Sequence, residues 1–99
     1  MDKRKIGKIV ESAIADYGGY VTKGAVMWHL EHTYNLGPED AILKPEKFLR
    51  ALRDIYGDFV SIIEGNICEK LAKEYGIDYN GHGLLVLAKQ LTGNSNSSS

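Results

Sequence analysis

The chain has one cysteine, Cys68, two prolines, and no apolar run approaching the roughly 18 residues that cross a bilayer as a helix. A lone cysteine permits no internal disulfide, which excludes a secreted disulfide scaffold and makes a reducing, cytoplasmic setting the expectation. The basic start Met1-Asp2-Lys3-Arg4-Lys5 leads into alternating polar and apolar residues, without the continuous apolar stretch of a signal peptide. An excess of either charge is lacking too: 12 Lys and Arg stand against 13 Asp and Glu, a formal net charge of −1. Proteins that hold nucleic acid through its phosphates carry a basic excess, so this balance weighs against that class. Hydrophobic residues at 43% and charged residues at 25% are the mixture of a folded globular chain. The 99 residues suit a single domain with one modest core, placed at 1–92.

What is present is helical periodicity punctuated by glycine. Ile6, Ile9, Val10, Ala13, Ile14 and Tyr17 follow spacings of 3, 1, 3, 1 and 3, with Lys5, Lys8, Glu11 and Ser12 off that face, which predicts a first helix ending at Gly18. Thr22 is the candidate N-cap of a second helix running to Tyr34, with Val26, Leu30 and either Met27 or Trp28 buried and Gly24 in its first turn. Gly37-Pro38 marks a turn, Glu39 to Leu43 suits one helical turn, and Pro45 is well placed to open a third helix. That helix carries the stripe Phe48, Leu49, Leu52, Ile55 and Tyr56 and stops at Gly57.

Phe59-Val60-Ser61-Ile62-Ile63 favours a strand, and a turn at Gly65-Asn66 would complete the hairpin of a winged helix. Val60, Ile63, Ile67, Leu71 and Tyr75, however, share one helical face at spacings of 3, 4, 4 and 4. Burial outweighs propensity, so the expectation is a fourth helix from Val60 to Tyr75, with Gly65 its weak point and Ile77 folding back on Leu71 or Ala72. Leu84, Leu87 or Val86, Ala88 and Leu91 form a short fifth helix. Residues 93–99 hold only Gly, Asn and Ser and are expected to be a disordered tail. The fold expected is therefore all-α, a compact bundle of about five helices. Three of its stripes end at the dipeptide Tyr-Gly, at Tyr17-Gly18, Tyr56-Gly57 and Tyr75-Gly76, where a left-handed glycine would close the last turn.

Candidate sites are few. Counted as a twelve-residue calcium loop, Asp78, Asn80, His82, Gly83 and Leu85 fit, but Lys89 stands where a bidentate Glu is required. A second count, from Asn35 through Gly37, Glu39, Asp40 and Ile42 to Glu46, lacks the glycine and two early oxygens. Degenerate calcium binding is thus an alternative, with plain turns between helices the simpler reading. His29 and His32 can face one metal from a helix, yet Cys68 and His82 would have to come from distant segments to complete four ligands. No metal ligand is assigned. No nucleophile, base and acid arrangement and no phosphate-binding glycine loop is readable, so no catalytic residue and no cofactor are assigned, and the expectation is a protein that is not an enzyme. Lys3, Arg4, Lys5 and Lys8 cluster at the start, and Lys47, Arg50 and Arg53 recur along the third helix, which a helix-turn-helix or winged-helix regulator would use on DNA. Glu46 and Asp54 on that helix favour a solvated mixed-charge face instead. Trp28 and six tyrosines exceed what so small a core readily buries, which points to a partner-binding patch or to tyrosines lying over helix ends.

The run Ala25-Val26-Met27-Trp28-His29-Leu30, then Lys44-Pro45-Glu46-Lys47-Phe48, Leu52, Ile55-Tyr56-Gly57, and Ile63-Glu64 with Ile67 resembles an uncharacterised archaeal family of small all-helical domains. The resemblance covers roughly residues 6 to 91 and implies a domain that stands alone or serves as an output module of signalling proteins. It implies an interaction or regulatory role and carries no ligand or catalytic residue. Together these readings predict a non-enzymatic helical module that binds a protein partner or its own copy, with Trp28, Tyr34, Lys47, Arg50 and Arg53 as candidate contacts. No membrane and no small molecule is expected as a partner.

Overall fold

The computed structural model describes residues 2–93, and within them no strand occurs. α1 (Lys3–Ala15) and α2 (Gly19–Tyr34) form an opening pair, α3 (Asp40–Leu43) is a single turn, and α4 (Pro45–Tyr56) follows at once. A 3-10 turn, Gly57–Phe59, leads into α5 (Val60–Tyr75), and α6 (Leu84–Thr92) completes the described chain. Five helices and one helical turn are the expected inventory. α5 runs unbroken from Val60 past Lys70, so the alternative hairpin and its winged helix are absent among the described residues.

The centre of the fold is the antiparallel packing of α5 on α1. Ile6, Val10, Ala13 and Ile14 of α1 and Ile63, Ile67, Cys68 and Leu71 of α5 lie in one buried cluster, at about 1.5 to 3 kcal/mol for each large aliphatic side chain removed from water. Polar contacts along the flanks follow the register: Lys5 with Glu74 at 2.6 Å, Lys70 Nζ donating to Ser12 Oγ at 3.4 Å, and Asn66 Nδ2 donating to Ala13 O at 3.1 Å. Asn66 also donates to the Asp16 carboxylate at 2.9 Å, and Lys70 pairs with it at 3.1 Å. Those two partners hold the Asp16 carboxyl below the usual carboxylate range. Ion pairs so open to water add little, so they align the helices while the apolar faces bind them.

α4 and α6 also pack on α5, with α3 lying on α6. Phe48, Ala51 and Leu52 of α4 and Leu84, Leu87 and Ala88 of α6 complete the core. Glu64 is half-buried: its carboxylate accepts the backbone N–H of Leu84 at 2.9 Å. One position beyond buried Ile63, it lies on the flank of α5 that α6 covers, and it caps a helix that has no capping side chain of its own.

The helix ends depart from the glycine expectation in instructive ways. α1 stops at Ala15 rather than Gly18, with Tyr17 N–H donating to Ile14 O, and the chain reverses over Asp16 to Gly18. A Cβ at Gly18 would lie 2.7 Å from that of Thr22, so glycine allows the turn to close directly onto α2. α2 therefore starts at Gly19, Thr22 caps nothing, and Gly24 is exposed in the second turn rather than the first. Tyr75-Gly76 is the left-handed closure foreseen, with Gly76 at φ 65° and Ile77 N–H donating to Ala72 O at 2.9 Å. Gly57 also has positive φ, 63°, but its ψ of −136° turns the chain straight into the 3-10 segment. A closure not foreseen is Asn35, left-handed at φ 56°, after which Leu36 N–H bonds back to Leu30 O. Gly93, assigned to the tail, closes α6 instead at φ 75°. The rest of the expected tail, 94–99, lies outside the described residues.

Gly65 lies mid-helix with open space where a Cβ would stand. Gly65→Ala should therefore raise stability by about 0.5 to 1 kcal/mol in urea denaturation, since only backbone freedom of the unfolded chain is lost. Glu64→Ala, by contrast, should lower it by about 1 to 2 kcal/mol by uncapping α6. Circular dichroism at the same protein concentration checks both.

Candidate functional site

α2 is apolar on two opposite sides. Val26 and Leu30 face the core with half-buried Met27 and Tyr34 beside them, which is the inner face expected. Val21, Ala25 and Trp28, spaced 4 and 3, lie on the outer side, with Gly24 next to them. Val21 is 87% exposed and Trp28 59%, values ordinary for a lysine and unusual for a core-type side chain. Among the described residues α2 packs only on α1 and α4, so nothing in the fold covers this side. The Trp28 indole stacks on His32 with ring centres 4.3 Å apart and planes 18° from parallel, and His32 Nδ1–H donates to Trp28 O at 2.9 Å. The ring is thus held outward rather than left to swing. Tyr20, 81% exposed beneath the Lys23 ammonium, lies off this strip on the flank that faces α1.

The five candidate contact residues do not share a face. Trp28 points out, whereas Tyr34 turns inward and its hydroxyl donates to the Asp54 carboxylate at 2.9 Å, tying the end of α2 to α4. That bond raises the Tyr34 phenol above its ordinary value. Lys47 lines a groove between α4 and α6, while Arg50 and Arg53 line a hollow of about 260 Å³ with Leu49, Val60 and Glu64. All three cations are exposed and form no ion pair among the described residues. The strip Val21, Ala25 and Trp28 escaped notice because a search for one buried face stops once Val26 and Leu30 are found. Its signal was present in the sequence as a second apolar spacing on the same helix.

In the second calcium count, from Asn35 to Glu46, several of the side chains have structural partners. Asp40, only 9% exposed, accepts the Gly37 N–H at 2.9 Å, and with Glu39 it belongs to the turn that starts α3. Asn35 closes α2, so the segment Asn35 to Glu46 is half helix instead of an open loop. Thr33 Oγ1–H lies 3.4 Å from His29 Nδ1, while His32 is engaged with Trp28. No group of three or more His, Cys, Asp or Glu is gathered for a metal among the described residues. No helix among them is long and apolar enough to cross a membrane.

Cys68 is fully buried, and burial, with the Glu64 charge adding to it, pushes its thiol up to about 12. A thiolate is the reactive form, so this side chain serves as a small core hydrophobe. The folded protein should leave a disulfide thiol reagent unreacted over minutes at about pH 8 and react fully once unfolded in guanidinium chloride. Absorbance of the released thiolate reads both states.

No family model matches the chain, and no curated protein or solved structure matches it.

Proposed function

We propose that the protein is a non-enzymatic helical interaction module, acting in the cytoplasm, whose partner on the outer face of α2 is a second copy of the same chain. The observation that carries this reading is an apolar strip on a helix already packed by its other side. A second apolar side left open on a packed helix is a surface that a partner can cover.

Self-pairing fits the sizes along the strip. If two copies cross antiparallel about a two-fold axis between Ala25 and Trp28, the large indole of one meets the small Gly24 and Ala25 of the other, and Val21 meets His32. No like charges are then opposed on the strip. At 16 residues, α2 is about 24 Å long, and its outer face offers well under the roughly 800 Å² per partner of a standard interface. The pairing is therefore weak and reversible, suited to a regulatory contact that changes with concentration. The resemblance of residues 6 to 91 to signalling output modules agrees with such a role.

A DNA-binding regulator using α4 is the second reading, favoured by the exposed, unpaired Lys47, Arg50 and Arg53. Titration with random duplex DNA at low salt separates it, since phosphate-driven affinity falls steeply as salt rises.

Light scattering and sedimentation across a concentration series should show a monomer and dimer in exchange with a dissociation constant of about micromolar order. Trp28→Glu should leave the helical signal intact and hold the protein monomeric at every concentration. A wild-type monomer throughout, or a dimer untouched by Trp28→Glu, would sink the reading.

A further inference from the structure

We infer that the groove between α6 and the corner of α3 and α4 receives an acidic amphipathic segment of a protein partner. The groove holds about 530 Å³. Its floor is apolar and comes from two separate helices: Ile42 and Leu43 of α3, Leu85 and Ala88 of α6. Leu43 is 42% exposed and Leu85 39%, so two leucines from different elements face one hollow without covering each other. Leucines so placed supply the sockets into which one apolar helix stripe fits.

The sign of the rim selects the occupant. Lys44 and Lys47 stand on the α4 edge and Lys89 on the α6 edge, against Glu46 alone, on a chain whose formal net charge is −1. None of the three lysines has an ion-pair partner among the described residues, and all are exposed, with long stems that reach over a bound segment. Cations on both edges of an apolar floor match carboxylates on both flanks of an apolar stripe, the pattern of a short helix bearing Leu between Glu or Asp. A fatty carboxylate carries one charge at one end and would leave one edge unanswered. Complementary charge of this kind steers encounter and sets orientation, while the leucine contacts supply the apolar burial. The assignment takes from the interaction-module reading only that the partner is a protein, and it shares no residue with the α2 strip.

The test is fluorescence anisotropy with two labelled synthetic peptides, one with Leu at helical spacing flanked by Glu, the other with every Glu replaced by Lys. The Glu peptide should bind the wild-type chain, the Lys peptide should not, and binding should weaken as salt rises. Lys47→Glu with Lys89→Glu should weaken it about tenfold, and Leu85→Ser should weaken it as well. Both sites are on the surface, and circular dichroism confirms that the variants fold. Trp28→Glu should bind the Glu peptide as the wild type does, so loss of pairing through α2 and loss of this groove are read separately. Equal binding of the two peptides, no binding of either, or unchanged affinity in the charge-reversed variant would overturn the assignment. So would binding of phosphatidylglycerol vesicles in place of the Glu peptide.

Discussion

Ile6, Val10 and Ile14 on α1 and Ile63, Ile67 and Leu71 on α5 leave water together, in the most extensive helix pairing of the fold. The helices are 13 and 16 residues long, near the length at which an isolated helix is only marginal, so each owes its persistence to that shared burial. The remaining elements build outward from it. α4 and α6 add their stripes to the other sides of α5, and α3 lies against α6 as a wedge too short to stand alone. Glu64 shows the dependence in one bond: a side chain on α5 completes the first turn of α6, so the last helix starts where the central one lets it.

The same arrangement explains where unsatisfied surface remains. α2 is held by α1 along one side and tied at its end through Tyr34 to Asp54, which leaves the side bearing Val21, Ala25 and Trp28 facing solvent. α6 reaches α3 with its buried residues while Leu85 and Leu43 diverge above them. Neither surface resembles a catalytic cleft, since neither gathers a nucleophile with a base, and the one thiol lies in the core. They differ in charge. The α2 strip is neutral, which suits a copy of itself, whereas the groove is rimmed by lysine, which suits an acidic partner.

Most of the fold was readable in advance because each long helix carries a stripe at helical spacing. The contest over Val60 to Tyr75 went to the helix, as Ile63, Ile67 and Leu71 required, and Gly65 did not break it. Boundaries were less readable. The start of α2 hinges on how closely Gly18 and Thr22 approach, and no single-residue preference records that distance. Surface groupings are the least legible part. That Trp28 faces away from Tyr34 and Arg50, and that Leu85 and Lys89 stand near Lys47, is not written in any local pattern. These groupings depend on which helix faces which.

Taken alone, the sequence determined the helical class and the apolar stripes of the long helices, because periodicity acts over a few residues. It also determined that the chain is nearly neutral and has one thiol. Only the tertiary structure decided which apolar side of α2 is used up and which is left over, since both sides are apolar and what packs on each is set by the other helices. It likewise decided that Glu64 is a cap rather than a surface charge, and that Lys44, Lys47 and Lys89 stand around one hollow. Residues over 40 positions apart in the chain share a site only when α6 folds back on α3 and α4, and that return is a property of packing, which no local pattern encodes.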